Sequence, residues 1–335
     1  MTSYVLRRLL WFFPVLFFVG LITFTIARLT PGGPFDARGD SNRRLSPGAE
    51  KVLRARFGMD LPLWRQFTRY MFFDFETDPK TKERKIVWGA IGGNLGPTYS
   101  SRGARTVQDE LFKGTSTRPG RFYYSVRLGV QGLLFGLIVG VPLGVTAALR
   151  QNTWVDYVSL LFATSFVALG TLVVSLLMVI VFAVWLKWFT VIPDWKDPIR
   201  PWILPSLALG LSTVGFIARL TRSSVLEIKR QDYVRTARSK GLGEQIITMR
   251  HIVRNALLPV VTILGPLIAA FLTGTLFIEL IFQVPGIGFE LVEAIGKRDY
   301  SMILGGTLLY AFILITANLI VDILYGVVDP RISYS

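Results

Sequence analysis

Six stretches of this chain carry no charged residue for 18 positions or more, and polar segments of very unequal length separate them. They run Leu9 to Ala27, Leu128 to Leu149, Tyr157 to Leu186, Pro201 to Ala218, Asn255 to Ile278 and Ser301 to Val321. A helix rising about 1.5 Å per residue needs roughly 20 apolar residues to cross a hydrocarbon core about 30 Å thick, and each window is near or beyond that length. One soluble core does not use six such windows. The pattern predicts an all-α, polytopic membrane protein with six transmembrane helices and its backbone hydrogen bonds closed inside them.

The polar segments set the organisation: residues 1–30 as the N-terminus and first helix, 31–121 as a long external loop or cap, and 122–335 as a five-helix core. Arg7 and Arg8 precede the first window, which is longer than a signal-peptide core, and Ala27-Arg28-Leu29 offers no small-x-small cleavage site. An uncleaved first helix with its N-terminus in the cytoplasm is expected. Arg150, the nine Lys or Arg between Arg219 and Arg254, and Arg331 then all fall inside, as the positive-inside bias requires, and both termini are cytoplasmic. Segment 31–121 holds 17 basic and 10 acidic residues, but it exceeds the ~60 residues over which that bias is dependable. Within it, Ser46-Pro47 starts a helix ending near Gly58, and Pro62 opens another through Trp64, Phe67 and Met71. The Thr77 to Lys85 charge run and the Gly92 to Pro97 turn region are expected to be mobile. Trp185, Trp188 and Trp195 are expected at headgroup level, and the long third window predicts tilt or an extension past the interface.

Composition narrows the chemistry. The hydrophobic fraction is 51%, the mean hydropathy +0.48, and there is no cysteine and one histidine, His251. Disulfides, thiolate metal sites, cysteine nucleophiles and a histidine zinc site are therefore excluded, and no nucleophile and base constellation suggests an enzyme. The net charge of +15 sits in residues that flank the windows, without the aromatic interleaving of a nucleic-acid binder. No G-x-x-x-x-G-K-[ST] run occurs, so the chain binds no ATP or other cofactor of its own. Glu279, Asn318 and Asp322 lie near helix ends, where pairing with interfacial arginines or capping of loops is expected over proton coupling.

The stretch from Glu227 to Pro259 is polar and strongly basic, set between two membrane windows. An extended lead at Gln231 and Asp232, a helix-forming run from Tyr233 to Lys240, a stop at Gly241 and a second helical run toward Pro259 predict a helix-turn-helix hairpin outside the membrane, within residues 222–254. Ala237 is small enough to enter a cleft, Gly241 gives a permissive turn, and Arg235, Arg238 and Lys240 offer charge to a soluble surface.

The spacing of Ala237 and Gly241 resembles the EAA loop of ABC-importer permeases. Tyr-Val-Arg-Thr-Ala-Arg-Ser-Lys-Gly-Leu followed by Arg-His-x-x-Arg-Asn-Ala-Leu-Leu-Pro resembles the dipeptide and oligopeptide (peptide/nickel) permease family, as do Val284-Pro285-Gly286-Ile287-Gly288, Lys297-Arg298-Asp299-Tyr300 and Asp329-Pro330-Arg331. Arg235 stands where the general motif has glutamate, and Val253-Arg254 replaces its terminal Leu-Pro. The resemblance covers about Leu128 to the end. It implies a type I ABC-importer permease core in the inner or plasma membrane: a non-catalytic subunit of an ATP-driven importer of di- or oligopeptides. It also implies a second permease subunit (a paralogue or a second copy), two cytoplasmic ATP-binding subunits that hold ATP and magnesium, an external solute-binding protein and surrounding membrane lipid. Tyr233, Arg235, Ala237, Arg238, Lys240, Gly241 and His251 are the implied ATPase-coupling residues, while periodicity singles out no substrate-binding residue. An ATP-independent secondary transporter is the alternative; it would need ionisable groups near the midplane and often an inverted repeat, and the windows carry no charge.

Overall fold

The computed structural model describes residues 2–30, 47–77, 84–114, 119–195, 197–272 and 276–328. They are mostly helical. Among the described residues five helices are long and apolar enough to cross a membrane, and six if Glu244–Ala256 and Leu258–Ile268, bent by 40° at their junction, form one broken span. Ser46, Asp329, Pro330 and Arg331 lie outside the described residues, as do residues 78–83 of the charge run and the side chain of Asp322. Two compact units account for the chain, one built from Met1–Tyr123 and Phe289–Ile315, the other from Tyr124–Gly288 and Thr316–Ser333.

In the first unit, α1 (Thr2–Leu29) supplies an apolar face to the short helix α3 (Leu63–Met71), which follows another short helix, α2 (Pro47–Arg56). Pro62 precedes α3 with φ −56° and ψ 146°, the extended geometry that suits a residue just before a helix. Phe24, Phe67, Met71, Leu304 and Leu308 form one core here. Two strands follow α3: β1 (Phe73–Thr77) pairs antiparallel with β2 (Arg84–Trp88), with Phe73 opposite Trp88 and Thr77 opposite Arg84. This hairpin adds a small sheet to an otherwise helical chain. Asp299 lies between α12 (Ile287–Lys297) and α13 (Tyr300–Val328), at the entrance to the latter. One carboxylate oxygen accepts from the Met302 N–H at 3.1 Å as a helix cap, and the other accepts from the Ser100 N–H and hydroxyl, each at 2.8 Å.

The second unit is a bundle of α4 (Arg121–Leu149), α5 (Trp154–Met178) and α6 (Arg200–Lys229), joined by α7 (Asp232–Ser239), α8 (Glu244–Ile246), α9 (Arg254–Ala256), α10 (Leu258–Leu272) and α11 (Leu276–Ile281). On α4, Gly132, Gly136, Gly140 and Gly144 face Leu209, Thr213, Ile217 and Thr221 of α6; a Cβ at Gly132, Gly136 or Gly144 would overlap α6 atoms, and one at Gly140 would sit tightly, 3.1 Å from Ile217. Small residues let membrane helices approach this closely where no hydrophobic driving force separates helix from lipid. The long third window does not stay one helix. Gly170 takes φ 68° and breaks α5, and Val179–Trp185 runs on as a π turn, so the excess length is taken up by a break. Trp185 and Trp188 are exposed, but Trp195 packs edge-on against Tyr124 and Trp202 in the bundle core.

Glu279 on α11 is fully buried. It accepts from the Ser125 hydroxyl at 2.8 Å, and the same hydroxyl oxygen accepts from the Ile287 N–H at 2.9 Å. The carboxylate therefore braces the Val284–Ile287 loop through a serine of α4. A side chain at Gly286 would run into it, which explains the glycine there.

Candidate functional site

The polar hairpin begins where α6 ends at Lys229. Gln231 is extended (φ −71°, ψ 148°) and α7 starts at Asp232, whose carboxylate in the first turn suits the positive end of the helix. The lead is thus one residue shorter than its composition suggests. At the other end the Gly241 N–H donates to the Arg238 carbonyl at 2.9 Å and the Leu242 N–H to the Ala237 carbonyl at 3.4 Å. That pair of bonds is a Schellman turn, and it needs the left-handed backbone that Gly241 adopts at φ +74°. The return arm runs through α8, a π turn at Ile247–Val253, and α9.

Two polar links hold the arms together. Arg238 donates twice to Glu244, Nε to Oε2 at 3.2 Å and Nη2 to Oε1 at 2.7 Å. Asn255 donates to the Tyr233 hydroxyl at 3.0 Å and to the His251 carbonyl at 2.9 Å. The inner face is apolar: Val234, Ala237, Ile247, Ile252 and Ala256 pack with Val145 and Ala148 of α4 and Val225 of α6. Ala237 is 5% exposed, so its small side chain serves a close approach to this chain's own helices. His251, within the π turn, is half-buried.

The outer face holds the exposed Tyr233, Arg235, Arg238, Lys240 and Gly241. It also holds three exposed apolar side chains that the sequence reading passed over, Leu242, Ile246 and Met249 at 40%, 51% and 62%. Their spacing of four and then three residues on a polar segment is the signal that would have found them.

Beneath the hairpin, Asp156 near the start of α5 is 1% exposed and receives both Nε (2.6 Å) and Nη2 (2.8 Å) of Arg222 on α6. It also accepts from the Asn152 N–H at 3.0 Å. The α4–α5 turn is thereby bolted to the helix that carries the hairpin. Neither residue was singled out as a pair by the sequence, where they stand 66 positions apart.

Comparison with known proteins gives this geometry a context. A family model described as "Binding-protein-dependent transport system inner membrane component" matches residues 140–334. The dipeptide transport system permease protein DppB of Bacillus subtilis (strain 168) is 35% identical over 333 residues, covering 99% of this chain and 98% of that protein. The glutathione transport system permease protein GsiC of Escherichia coli (strain K12) is 33% identical over 334 residues and 100% of both chains. Among solved structures, an amino acid ABC transporter with histidines aligns at 13% identity and a TM-score of 0.47, covering 62% of this chain and 90% of that one.

Proposed function

Because this chain belongs to the family of binding-protein-dependent transport system inner membrane components, we propose that it carries short peptides and is driven through the exposed face of its 222–254 hairpin. As a permease subunit of an ABC importer it is a non-catalytic membrane component. The cargo reading draws on relatives named for dipeptide and glutathione transport. The partners follow from the same reading: a second permease copy or paralogue, two ATP-binding subunits that hold ATP and magnesium, and a solute-binding protein on the opposite side. Both termini and the hairpin then face the cytoplasm, in keeping with the arginine and lysine distribution.

One observation carries the coupling role, the two-sidedness of the hairpin. Its inner face is fastened to α4 and α6, while Leu242, Ile246 and Met249 face outward among Arg235, Arg238, Lys240 and Arg250. An apolar patch with charged neighbours is the surface a protein partner covers. Ala237 acts here from below, by holding the patch in place, and Gly241 by shaping its tip. A push on the patch moves α6 and, through Arg222 and Asp156, the α4–α5 turn.

The test is co-purification of the ATP-binding subunits with the double variant Leu242→Asp, Ile246→Asp. Unpaired carboxylates in a covered apolar interface should weaken recovery about tenfold or more, a loss of about 1.4 kcal/mol or above. Melting of the isolated chain should not change, because both side chains are exposed. Wild-type recovery would remove the hairpin face from the docking role. For the cargo, vesicles holding the complete importer should accumulate a labelled dipeptide and not its free amino acids.

A further inference from the structure

The unit formed by Met1–Tyr123 and Phe289–Ile315 contains a cavity of about 400 Å³ lined by its own residues. Phe24, Phe57, Tyr70, Trp88, Tyr99 and Tyr300 give it aromatic walls, and Arg28 and Arg69 bring positive charge, that of Arg69 facing Asp74 at 3.8 Å behind the wall; no Asp or Glu is among the lining residues. The volume lies in the range of small-molecule sites, about 300–1,000 Å³.

Two residues of the lining carry a polar atom that is buried without a partner just behind the cavity wall. Gln66 is 8% exposed, and its amide orientation is fixed because Nε2 donates to the Met59 carbonyl at 3.0 Å and the Leu61 carbonyl at 2.6 Å. Its Oε1 is buried with no hydrogen-bond partner. The Tyr70 hydroxyl is likewise buried and unpartnered, and burial pushes its pKa up, so it stays a donor throughout the physiological range. Buried polar groups in folded proteins nearly always find a partner, so one fixed acceptor and one permanent donor stand ready. Arg28 lies in the last turn of α1 with its guanidinium 5.5 Å from the ring centroids of both Phe24 and Tyr300. Those contacts and a hydrogen bond between Arg28 and Tyr99 hold the guanidinium in place.

We propose that this cavity binds a small carboxylate that also carries an amide N–H and an apolar side group. The carboxylate meets Arg28 and the side group lies against the aromatic walls; a small shift of the side chains that cover them lets the Tyr70 hydroxyl donate to the carboxylate and Gln66 Oε1 accept from the N–H. A C-terminal peptide residue and an N-acyl amino acid share that chemistry. The site does not depend on the cargo assigned above, since a chain that moved no peptide could still bind such a molecule.

The full-length chain, purified in a neutral detergent, should be titrated calorimetrically with N-acetylphenylalanine and separately with N-acetylphenylalanine amide. Saturable binding of the acid is expected, at least about tenfold weaker for the amide, since charge-assisted hydrogen bonds exceed neutral ones by that order. Arg28→Gln should erase the preference for the acid. Tyr70→Phe, which removes one unpartnered atom and keeps the packing, should weaken the acid about threefold to tenfold with an unchanged melting temperature. Equal affinity for acid and amide, wild-type affinity in both variants, or no saturable binding by the folded chain would each overturn the proposal. Displacement of the acid by dioctanoylphosphatidylglycerol, with that lipid binding more tightly, would assign the site to lipid phosphate and overturn it as well.

Discussion

Two arginine–carboxylate pairs with nearly the same forked geometry stand at the base and at the tip of the polar hairpin. Arg222 and Asp156 meet beneath the hairpin, with Asp156 1% exposed and the Arg222 side chain 21%. Arg238 and Glu244 meet at its tip, 38% and 64% exposed. Distance alone would rank them together. Burial separates them: water screens the tip pair, while the lower pair is desolvated and each partner depends on the other. The tip pair trims a turn that Gly241 already shapes, whereas the lower pair joins α5 to α6 where no other polar link does among the described hydrogen bonds between those helices beyond a 3.5 Å contact of Thr171 with Ser212.

Removing one member of the lower pair should have the largest effect. Asp156→Ala leaves Arg222 without its carboxylate in a mostly buried setting, and a loss of about 3 kcal/mol is expected, the low end of the usual range because part of Arg222 is exposed. A lowered apparent melting temperature in detergent is the readout, and parity with a tip-pair variant would break the comparison. Ala237→Arg should come next, at about 1–3 kcal/mol from overpacking beneath the hairpin, accompanied by poorer recovery of ATP-binding subunits. If melting is untouched while recovery falls, the inner face would be reachable by a partner after all. Arg222→Lys keeps the charge but cannot fork, so about 1 kcal/mol should be lost. Smallest is Glu244→Gln at the tip, where water already screens the pair and only a marginal melting shift is expected, shrinking further in high salt. A melting shift for Glu244→Gln as large as for Asp156→Ala would show that burial does not separate the pairs.

Much of this architecture is legible in the amino-acid order, because helix spans and turn glycines are local properties. Leu128 to Leu149 and Ser301 to Val321 read directly as spans, and Gly241 as a turn, from residues within a few positions of each other. What was not legible depends on partners distant in the chain. The pairing of Phe73–Thr77 with Arg84–Trp88 needs a register that composition does not state, and the Asp156–Arg222 bond joins separate helices. Gly170 looked like any other glycine in an apolar run, yet its positive φ breaks α5. The facing of Ala237 was also hidden: a small residue on a polar helix suits a partner's cleft or the chain's own core equally well, and only packing against Val145 and Val225 decides. Glu279 lay at a window's edge, which suggested an interfacial arginine partner or a loop cap; the loop bracing is found, through Ser125.

The four glycines of α4 and the four side chains they receive from α6 are both spaced every fourth residue, so the two helices mesh like a rack and its pinion. Teeth at that interval stand about 6 Å apart along a helix. Sliding by any fraction of a tooth drives Leu209, Thr213 or Ile217 onto backbone that has no room for them. When the bundle moves, α4 and α6 are therefore expected to travel together as one bar, since shear between them would have to lift the teeth out of their notches.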